Sequence, residues 1–369
     1  MKHVLVTGGQ GFIGRNLVLA LGRNADIETI SVDLETPLAD LGRGLDVCDV
    51  IFHLAGTNRP PREEDFETGN VRSLSDVIAG LDDRHRQPLI VLSSSTQALL
   101  DNPYGRSKRR AEELLFTFCR RTKTPAVVFR LPGVFGKWCR PNYNSVVATF
   151  CHNISRDLPI QISDPANEIE LVHVDDVVAS LINLLGEQHQ GASFSEAAPV
   201  FRVSLGELAE RLYEFKRQRE SGRITDLSDP FLKKLYGTYM SYLPPDKFAY
   251  GLEQKSDARG VLAEILKANA SGQFFVSRTK PGIVRGNHYH DTKVEKFLVL
   301  EGQALVRFRN MATGEKTAYS VSGGEFKVVD VPPGWTHAIQ NVGPSEMIVL
   351  FWASEAFEPD QPDTYPAEV

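Results

Sequence analysis

Val4-Leu5-Val6-Thr7-Gly8-Gly9-Gln10-Gly11-Phe12-Ile13-Gly14 decides the fold of the first half of this chain. A short run of strand-forming residues leads straight into a Gly-x-x-Gly-x-x-Gly turn, and a helical pattern from Gly14 to Leu21 follows. Glycines at those positions permit a tight turn and let backbone amides and the helix N-terminus approach a pyrophosphate without Cβ interference. The candidate cofactor-binding residues here are Gly8, Gly11, Phe12, Ile13 and Gly14. Nineteen residues past Gly14 stands Asp33, closing the strand text Ser31-Val32-Asp33, where a carboxylate accepts the ribose hydroxyls of NAD. The same charge repels the 2′-phosphate of NADP, although Arg15 and Arg43 are near enough in sequence to oppose it. NADH and NADPH both stay open on these residues.

Outward from the loop, short apolar runs alternate with longer helical patterns. Val4 to Thr7, Val50 to Leu54, Leu89 to Ser93 and Ala126 to Leu131 read as strands; Gly14 to Leu21, Val71 to Leu81 and Tyr104 to Arg121 read as helices. That is the text of βαβ units and a parallel sheet. Leu205, Leu208, Leu212 and Phe215 recur at helical spacing and are expected to complete the first domain. Tyr242-Leu243-Pro244-Pro245 then halts any helix, because proline lacks the backbone donor and biases its predecessor towards extended geometry. Beyond it Gln273 to Lys280, Glu295 to Leu300, Ala304 to Arg309 and Met347 to Phe351 are short strands between Gly and Pro turns. The expected architecture is an α/β Rossmann-type doubly wound parallel sheet over residues 1–243, followed by an all-β jelly roll over residues 247–369.

The bulk numbers agree. A chain of 369 residues exceeds what one core usually organises, and 42% hydrophobic residues is ordinary for globular proteins. A net charge of -6 with dispersed cations offers no stripe for nucleic acid or an anionic membrane. The first apolar run breaks at Gly8 and no later one approaches a membrane span, so the expected location is the cytoplasm, with no membrane insertion. Cys48, Cys119, Cys139 and Cys151 form no Cys-x-x-Cys pair and read as free buried thiols.

Tyr104-Gly105-Arg106-Ser107-Lys108 puts a phenol and an ammonium on one helix face. A nearby ammonium favours phenolate and is expected to lower the Tyr104 pKa, while a hydroxyl from Ser93-Ser94-Ser95 orients a substrate oxygen. In this order, glycine loop, serines and Tyr-x-x-x-Lys, residues 1–240 resemble the extended short-chain dehydrogenases/reductases, the family of UDP-galactose 4-epimerase. The resemblance implies that Ser95, with Ser94 as fallback, Tyr104 and Lys108 are catalytic. It also implies that Leu54, Ala55 and Gly56 line the cofactor at the end of a fourth strand, and that Asn70, Leu131 and Val134 belong to the cofactor site together with Tyr104 and Lys108. His53 and His173 read as packed or cofactor-edge histidines rather than bases.

In the last third, Gly282-x5-His288-x-His290-x4-Glu295-x6-Gly302 and Pro332-x-Gly334-x2-His337-x3-Asn341 reproduce cupin motifs. Residues two apart on a strand share a face, so His288 and His290 both point into the barrel, with Glu295 and His337 expected from neighbouring strands. Three imidazoles and a carboxylate suit Zn²⁺ or another divalent transition metal. Asp257-Ala258-Arg259-Gly260 and Gly282 to His288 further resemble the nucleotide-diphospho-4-keto-6-deoxysugar 3,5-epimerases, which implies that His288 is a proton-abstracting base, a ligand, or both.

End to end, the chain resembles the bifunctional capsule and O-antigen enzymes of the CapF type, with marks at Asp101 to Gly105, Phe135 to Cys139, Pro141 to Ser145 and Pro359 to Tyr365. That resemblance implies a UDP-linked 4-keto-6-deoxy amino sugar as substrate, NADPH as cofactor and a homodimer. It implies C3 epimerisation in the cupin and C4 reduction in the first domain. Two other readings carry less of the text. One is a 4-ketoreductase with a structural, dimerising cupin. The other is a dinucleotide-sensing regulator, which would not need Tyr104, Lys108 and the serines.

Overall fold

Alternate residues of the first strands serve two different cores. In the computed structural model, which describes residues 1–220, 224–252, 254–257, 260–263, 272–355, 360 and 362–369, Val4, Val6, Val50, Phe52, Val127 and Phe129 pack on one side of a sheet. Leu5, Ile51, Ile90, Leu92 and Val128 pack on the other. The first core is closed by helices Phe12–Leu21 and Val174–Asn183, the second by Leu38–Val47, Ser73–Arg84 and Pro103–Thr122. Burial on both faces is why these strands read as unbroken apolar runs. Each fully buried side chain of this size contributes about 1.5–3 kcal/mol.

The sheet is all parallel, in the spatial order Ile27–Val32, Lys2–Thr7, Val50–His53, Leu89–Ser95, Ala126–Leu131, Ala192–Ser195. Chain order reverses beside Lys2–Thr7, so the crevice for a ligand opens at its carboxyl end. Val50–His53 is the third strand in chain order and not the fourth, because one helix, Leu38–Val47, joins it directly to Ile27–Val32. A smaller sheet holds Gly133–Phe135, Glu168–His173 and Val200–Ser204. Among the described residues, no helix is long and apolar enough to cross a membrane. Cys48, Cys119 and Cys151 are buried and Cys139 is half-buried, and none of the four is in a disulfide.

The chain packs as two compact units. One comprises Met1–Phe135, Asn142–Ser145 and Glu168–Val203; the other comprises Gly136–Pro141, Val146–Asn167 and Ser204–Val369. Helix Leu205–Glu220 therefore packs in the same unit as the C-terminal strands, not with the first sheet. A buried charge cluster explains this: Arg219 Nε and Lys296 Nζ donate to opposite oxygens of the fully buried Asp330 at 2.7 and 2.5 Å. Removing either cation would leave a poorly compensated buried charge.

The C-terminal strands form two antiparallel five-stranded sheets. One runs Ala249–Gly251, Lys327–Val331, Glu295–Glu301, Met347–Ala353, Gln273–Thr279; the other runs Lys316–Ser322, Gln303–Asn310, Trp335–Asn341, Val284–Tyr289, Tyr365–Pro366. Ala304, Val306 and Phe308 alternate inwards from one strand, the period-2 pattern of a half-buried sheet. Of the segments read as epimerase-like or as tail marks, Ala258, Arg259, Pro359 and Gln361 lie outside the described residues.

Candidate functional site

The glycine loop is as crowded as a dinucleotide cradle requires. Gly8 sits at φ +72°, and a Cβ there would stand 2.6 Å from Ala55 N; one on Gly14 would stand 2.1 Å from Gly8 O. Gly11 donates its N–H to Gly8 O at 3.0 Å and leads into helix Phe12–Leu21, whose first residues are Phe12 and Ile13. Gly9, absent from the candidate set, is less constrained: a Cβ there would meet Ser31 Oγ at 1.9 Å, a side-chain atom that can rotate away. Leu54 N donates to Thr7 O at 3.0 Å, which lays Leu54, Ala55 and Gly56 beside the loop. Asp33 follows strand Ile27–Val32 and turns towards the loop: Oδ2 accepts from Gln10 N and Oδ1 from Leu34 N, at 2.8 and 2.9 Å. Arg15 bonds back to Gln10 O at 3.2 Å, and exposed Arg43 pairs with Asp40 at 2.5 Å.

Helix Pro103–Thr122 presents the reductase constellation because its start is fixed. Asn102 caps it by accepting from Gly105 N at 2.8 Å, Pro103 opens it, and a Cβ on Gly105 would meet Gln97 O at 2.1 Å. Glycine lets the first turn press onto the segment after strand Leu89–Ser95, bringing Tyr104 to its serines. The Ser95 hydroxyl stands near enough to the phenol to oppose the rise of its pKa. Ser94 points elsewhere, donating at 2.5 Å to Glu112 Oε1, a carboxylate that also holds Arg130. Lys108 Nζ is buried, donates to Ser93 O at 3.0 Å and lies 5.9 Å from the Tyr104 ring centroid.

The expected lowering of the Tyr104 pKa is not what these surroundings produce. Burial pushes the phenol up to about 12; the nearby Ser95 hydroxyl opposes this and Tyr143 adds to it. Burial also pulls Lys108 down to about 8, against the attraction of Glu112. Spacing on a helix put the ammonium near the phenol, but burial, not that proximity, sets the shift. A Tyr104 that keeps its proton is a phenol able to donate it.

Asn70 sits in a wide helical turn, Glu67–Arg72, and its side chain spans three partners: Oδ1 accepts from Thr57 N, and Nδ2 donates to Thr57 O and Ser107 Oγ, all at 3.0 Å. A Cβ on Gly56 would touch Asn70 Oδ1 at 2.8 Å and Lys108 Nζ at 3.1 Å, so Gly56, Asn70 and Lys108 converge. Leu131 ends strand Ala126–Leu131, buried, and Val134 is the central residue of Gly133–Phe135. His53 is packed: its Nδ1 lies 2.9 Å from Thr7 Oγ1, and burial, then Lys108, push its pKa down to about 3. His173 accepts from Asp175 N at 3.3 Å as the cap of Val174–Asn183 and stacks edge-on with Phe135.

In the other unit His288, His290, Glu295 and His337 converge, each offering a ligand atom within 4.8 Å of the others. His288 is half-buried; the other three are buried. A register shift in Val284–Tyr289 between Gly286 and His288 sets His288 opposite His337, and a Cβ on Gly286 would stand 2.7 Å from His337 O. His337 does come from a neighbouring strand. Glu295 does not: it opens Glu295–Glu301 in the other sheet, and its Oε2 lies 3.3 Å from both His290 Nε2 and His337 Nε2. Placing it opposite rather than beside the histidines closes the donor set from two sides.

The donors suit a divalent cation. Among the described residues, His290 Nε2 and both His337 ring nitrogens are buried without a hydrogen bond. Buried polar atoms left bare are costly unless something binds them. Burial favours a neutral Glu295, but His290 and His337 override it and hold the carboxyl below its ordinary range. Burial lowers His337, and it lowers His288 to about 4, helped by the other two imidazoles. A carboxylate facing His288 and His337, both of which burial keeps from protonating, suits ligation.

Comparison with known proteins agrees with both halves. The NAD dependent epimerase/dehydratase family matches residues 4–195, and the Polysaccharide biosynthesis C-terminal domain matches residues 255–365. A UDP-2-acetamido-2,6-beta-L-arabino-hexul-4-ose reductase from Pseudomonas aeruginosa is 44% identical over 366 residues, covering 99% of this chain and 98% of that one. The crystal structure of the capsular polysaccharide assembling protein CapF from Staphylococcus aureus matches at 42% identity and a TM-score of 0.67, over 99% of this chain and 100% of that one. The UDP-glucuronic acid 4-epimerase from Bacillus cereus in complex with NAD shares the fold, with a TM-score of 0.53 at 18% identity over 58% of this chain and 83% of that one. Two converging sites and full-length likeness lead to one conclusion: this chain belongs to the NAD dependent epimerase/dehydratase family.

Proposed function

We propose that this chain is a bifunctional enzyme acting on a UDP-2-acetamido-2,6-dideoxy-hexos-4-ulose, with residues 247–369 epimerising C3 and residues 1–243 reducing the C4 ketone to UDP-2-acetamido-2,6-dideoxy-L-talose. The observation that carries this reading is the joint presence of the Ser95 hydroxyl near Tyr104 beside buried Lys108, and of a carboxylate among three imidazoles on the same chain. The full-length relative from Pseudomonas aeruginosa, named for reduction of such a sugar, supports it.

The C3 proton is acidic because it adjoins the C4 ketone. His288, neutral and the most accessible of the four, takes that proton, and return of a proton to the opposite face inverts the centre. His288, His290, Glu295 and His337 could hold a divalent cation, Zn²⁺ being one that suits them, which would supply Lewis acidity for the enolate; His288 takes the proton only at the stage when its lone pair is not on the cation. In the reductase site a reduced nicotinamide, when bound, supplies hydride to C4. Tyr104 donates its phenolic proton to O4, Ser95 hydrogen-bonds the same oxygen, and Lys108 and Asn70 hold the ribose side of the crevice. NADPH is the working cofactor in this reading, with NADH tolerated because Asp33 stands at the ribose end. We place the enzyme in the cytoplasm as a homodimer.

The test separates the two halves. Tyr104→Phe is expected to abolish cofactor oxidation while C3 of the keto-sugar still exchanges deuterium from heavy water. Loss of exchange together with reduction, in a folded variant, sinks the division of labour.

A further inference from the structure

The last residues of the chain return to the strand that carries His288 and ends one residue before His290. Tyr365–Pro366 pairs antiparallel with it, His288 opposite Pro366 and Tyr289 opposite Tyr365, and Ala367 N donates to Asn287 O at 2.8 Å. Just before this pairing, Asp363 accepts four hydrogen bonds on its carboxylate. Oδ1 accepts from Asp291 N at 2.9 Å; Oδ2 accepts from Thr292 N at 3.0 Å, Thr292 Oγ1 at 2.9 Å and Lys293 N at 2.8 Å. Buried Lys293 locks the same loop from its other end, Nζ donating to Pro362 O and Thr364 Oγ1, both at 2.9 Å. Asp363 itself sits at φ +34°, a conformation non-glycine residues hold only when their surroundings over-determine it.

The consequence falls on His290. Its Nδ1 lies 2.6 Å from the backbone carbonyl of Asp363, which can only accept, so Nδ1 carries the proton and Nε2 keeps its lone pair. That Nε2 is the buried, unbonded atom 3.3 Å from Glu295 Oε2. His337 has neither ring nitrogen hydrogen-bonded, so the tail acts on one imidazole of the buried pair.

We propose that Asp363 is a positioning residue of the metal centre: its carboxylate ties the C-terminal tail to loop Asp291–Lys293 and so holds its own carbonyl against His290 Nδ1, fixing the tautomer and ring orientation that ligation requires. The proposal rests on the reading of the four residues as a cation site. It adds a residue some seventy positions away in sequence to that site, and it makes the tail a part of it rather than a terminus.

Zinc affinity of the full-length protein, by competition with a chromophoric chelator, tests this alongside thermal unfolding of the metal-free protein. Asp363→Ala is expected to weaken affinity about 10–100-fold. Asp363→Asn should lose less, because its amide keeps one accepting oxygen while turning N–H groups towards N–H donors. Thr292→Val removes one of the four donors and should lose least. A purely structural role would lower the unfolding temperature of the metal-free variants and leave affinity within about twofold of wild type; that result, in Asp363→Ala or, should it not fold, in Asp363→Asn, overturns the proposal. Wild-type protein that takes up no zinc overturns both this proposal and the cation site beneath it.

Discussion

Adjacent serines at the end of strand Leu89–Ser95 should fail in opposite ways. Ser94→Ala removes the hydroxyl that donates to Glu112 Oε1 at 2.5 Å, with Ser94 4% and Glu112 2% exposed. A hydrogen bond to a buried charged group contributes about 1.5–3 kcal/mol, and because Arg130 still holds Glu112 through two bonds, the lower part of that range, about 2 kcal/mol, applies. For a chain of 369 residues that lowers Tm by about 2–3 °C. Ser95→Ala loses the cap that accepts from Gln97 N at 3.2 Å, a long bond on a half-buried residue, so its stability cost stays below about 1 kcal/mol. It also removes the hydroxyl that stands beside Tyr104, and loss of one positioned donor at a reacting oxygen typically lowers kcat about 10²–10³-fold. Thermal unfolding and steady-state cofactor oxidation at saturating keto-sugar, on both variants, read out the crossover. If Ser94→Ala loses more kcat than Ser95→Ala while keeping wild-type stability, the reacting hydroxyl has been misassigned and the buried bond to Glu112 is not structural.

Lys108 should impose a pH limit: kcat/KM for reduction is expected to fall above about pH 8 as its buried ammonium discharges, and Lys108→Arg should move that limb upward; a wild-type profile flat to pH 10 refutes it. The same shift has a sign in stability. Between about 8 and the ordinary value of 10.5 the unfolded chain binds the proton that the folded chain has released, so this residue's penalty is full below pH 8 and relieved as pH rises through that window, measurable by denaturant unfolding. Asp33→Ala should weaken binding of both cofactors, because two loop bonds go, and shift the NADPH to NADH efficiency ratio towards NADPH; a wild-type preference for NADPH above about a hundredfold, roughly 2.7 kcal/mol, that the substitution leaves unchanged rules out ribose contact. Elemental analysis after reconstitution should find about one equivalent of a divalent transition metal in wild type and below about a tenth in His337→Ala or Glu295→Gln; wild type below that level removes the site.

Local patterns carried what depends on neighbours in the chain. Gly8, Gly11 and Gly14 announced a cradle because tight turns and close backbone approach leave a direct mark on residue type. The runs around Val50 and Ala126 announced buried parallel strands because both faces must be apolar. His288 and His290 were legible as one inward face because strand alternation is a local rule, and Asn102, Pro103 and Gly105 marked the helix that aims Tyr104. What the sequence determined by itself is therefore the inventory: a doubly wound sheet, a jelly roll, and the residue types that face each crevice. Only the tertiary structure decided how those residues act on one another. It put Glu295 in the opposite sheet from the histidines, tied Ser94 to Glu112 so that Ser95 meets Tyr104, and packed helix Leu205–Glu220 in the unit of the C-terminal strands through Arg219 and Asp330. It reversed the expected shift of Tyr104 and brought Asp363 to His290. Desolvation and long-range hydrogen bonds depend on everything within a few ångströms in space, and spacing along the chain records only the part of that surroundings that lies within a turn or a strand.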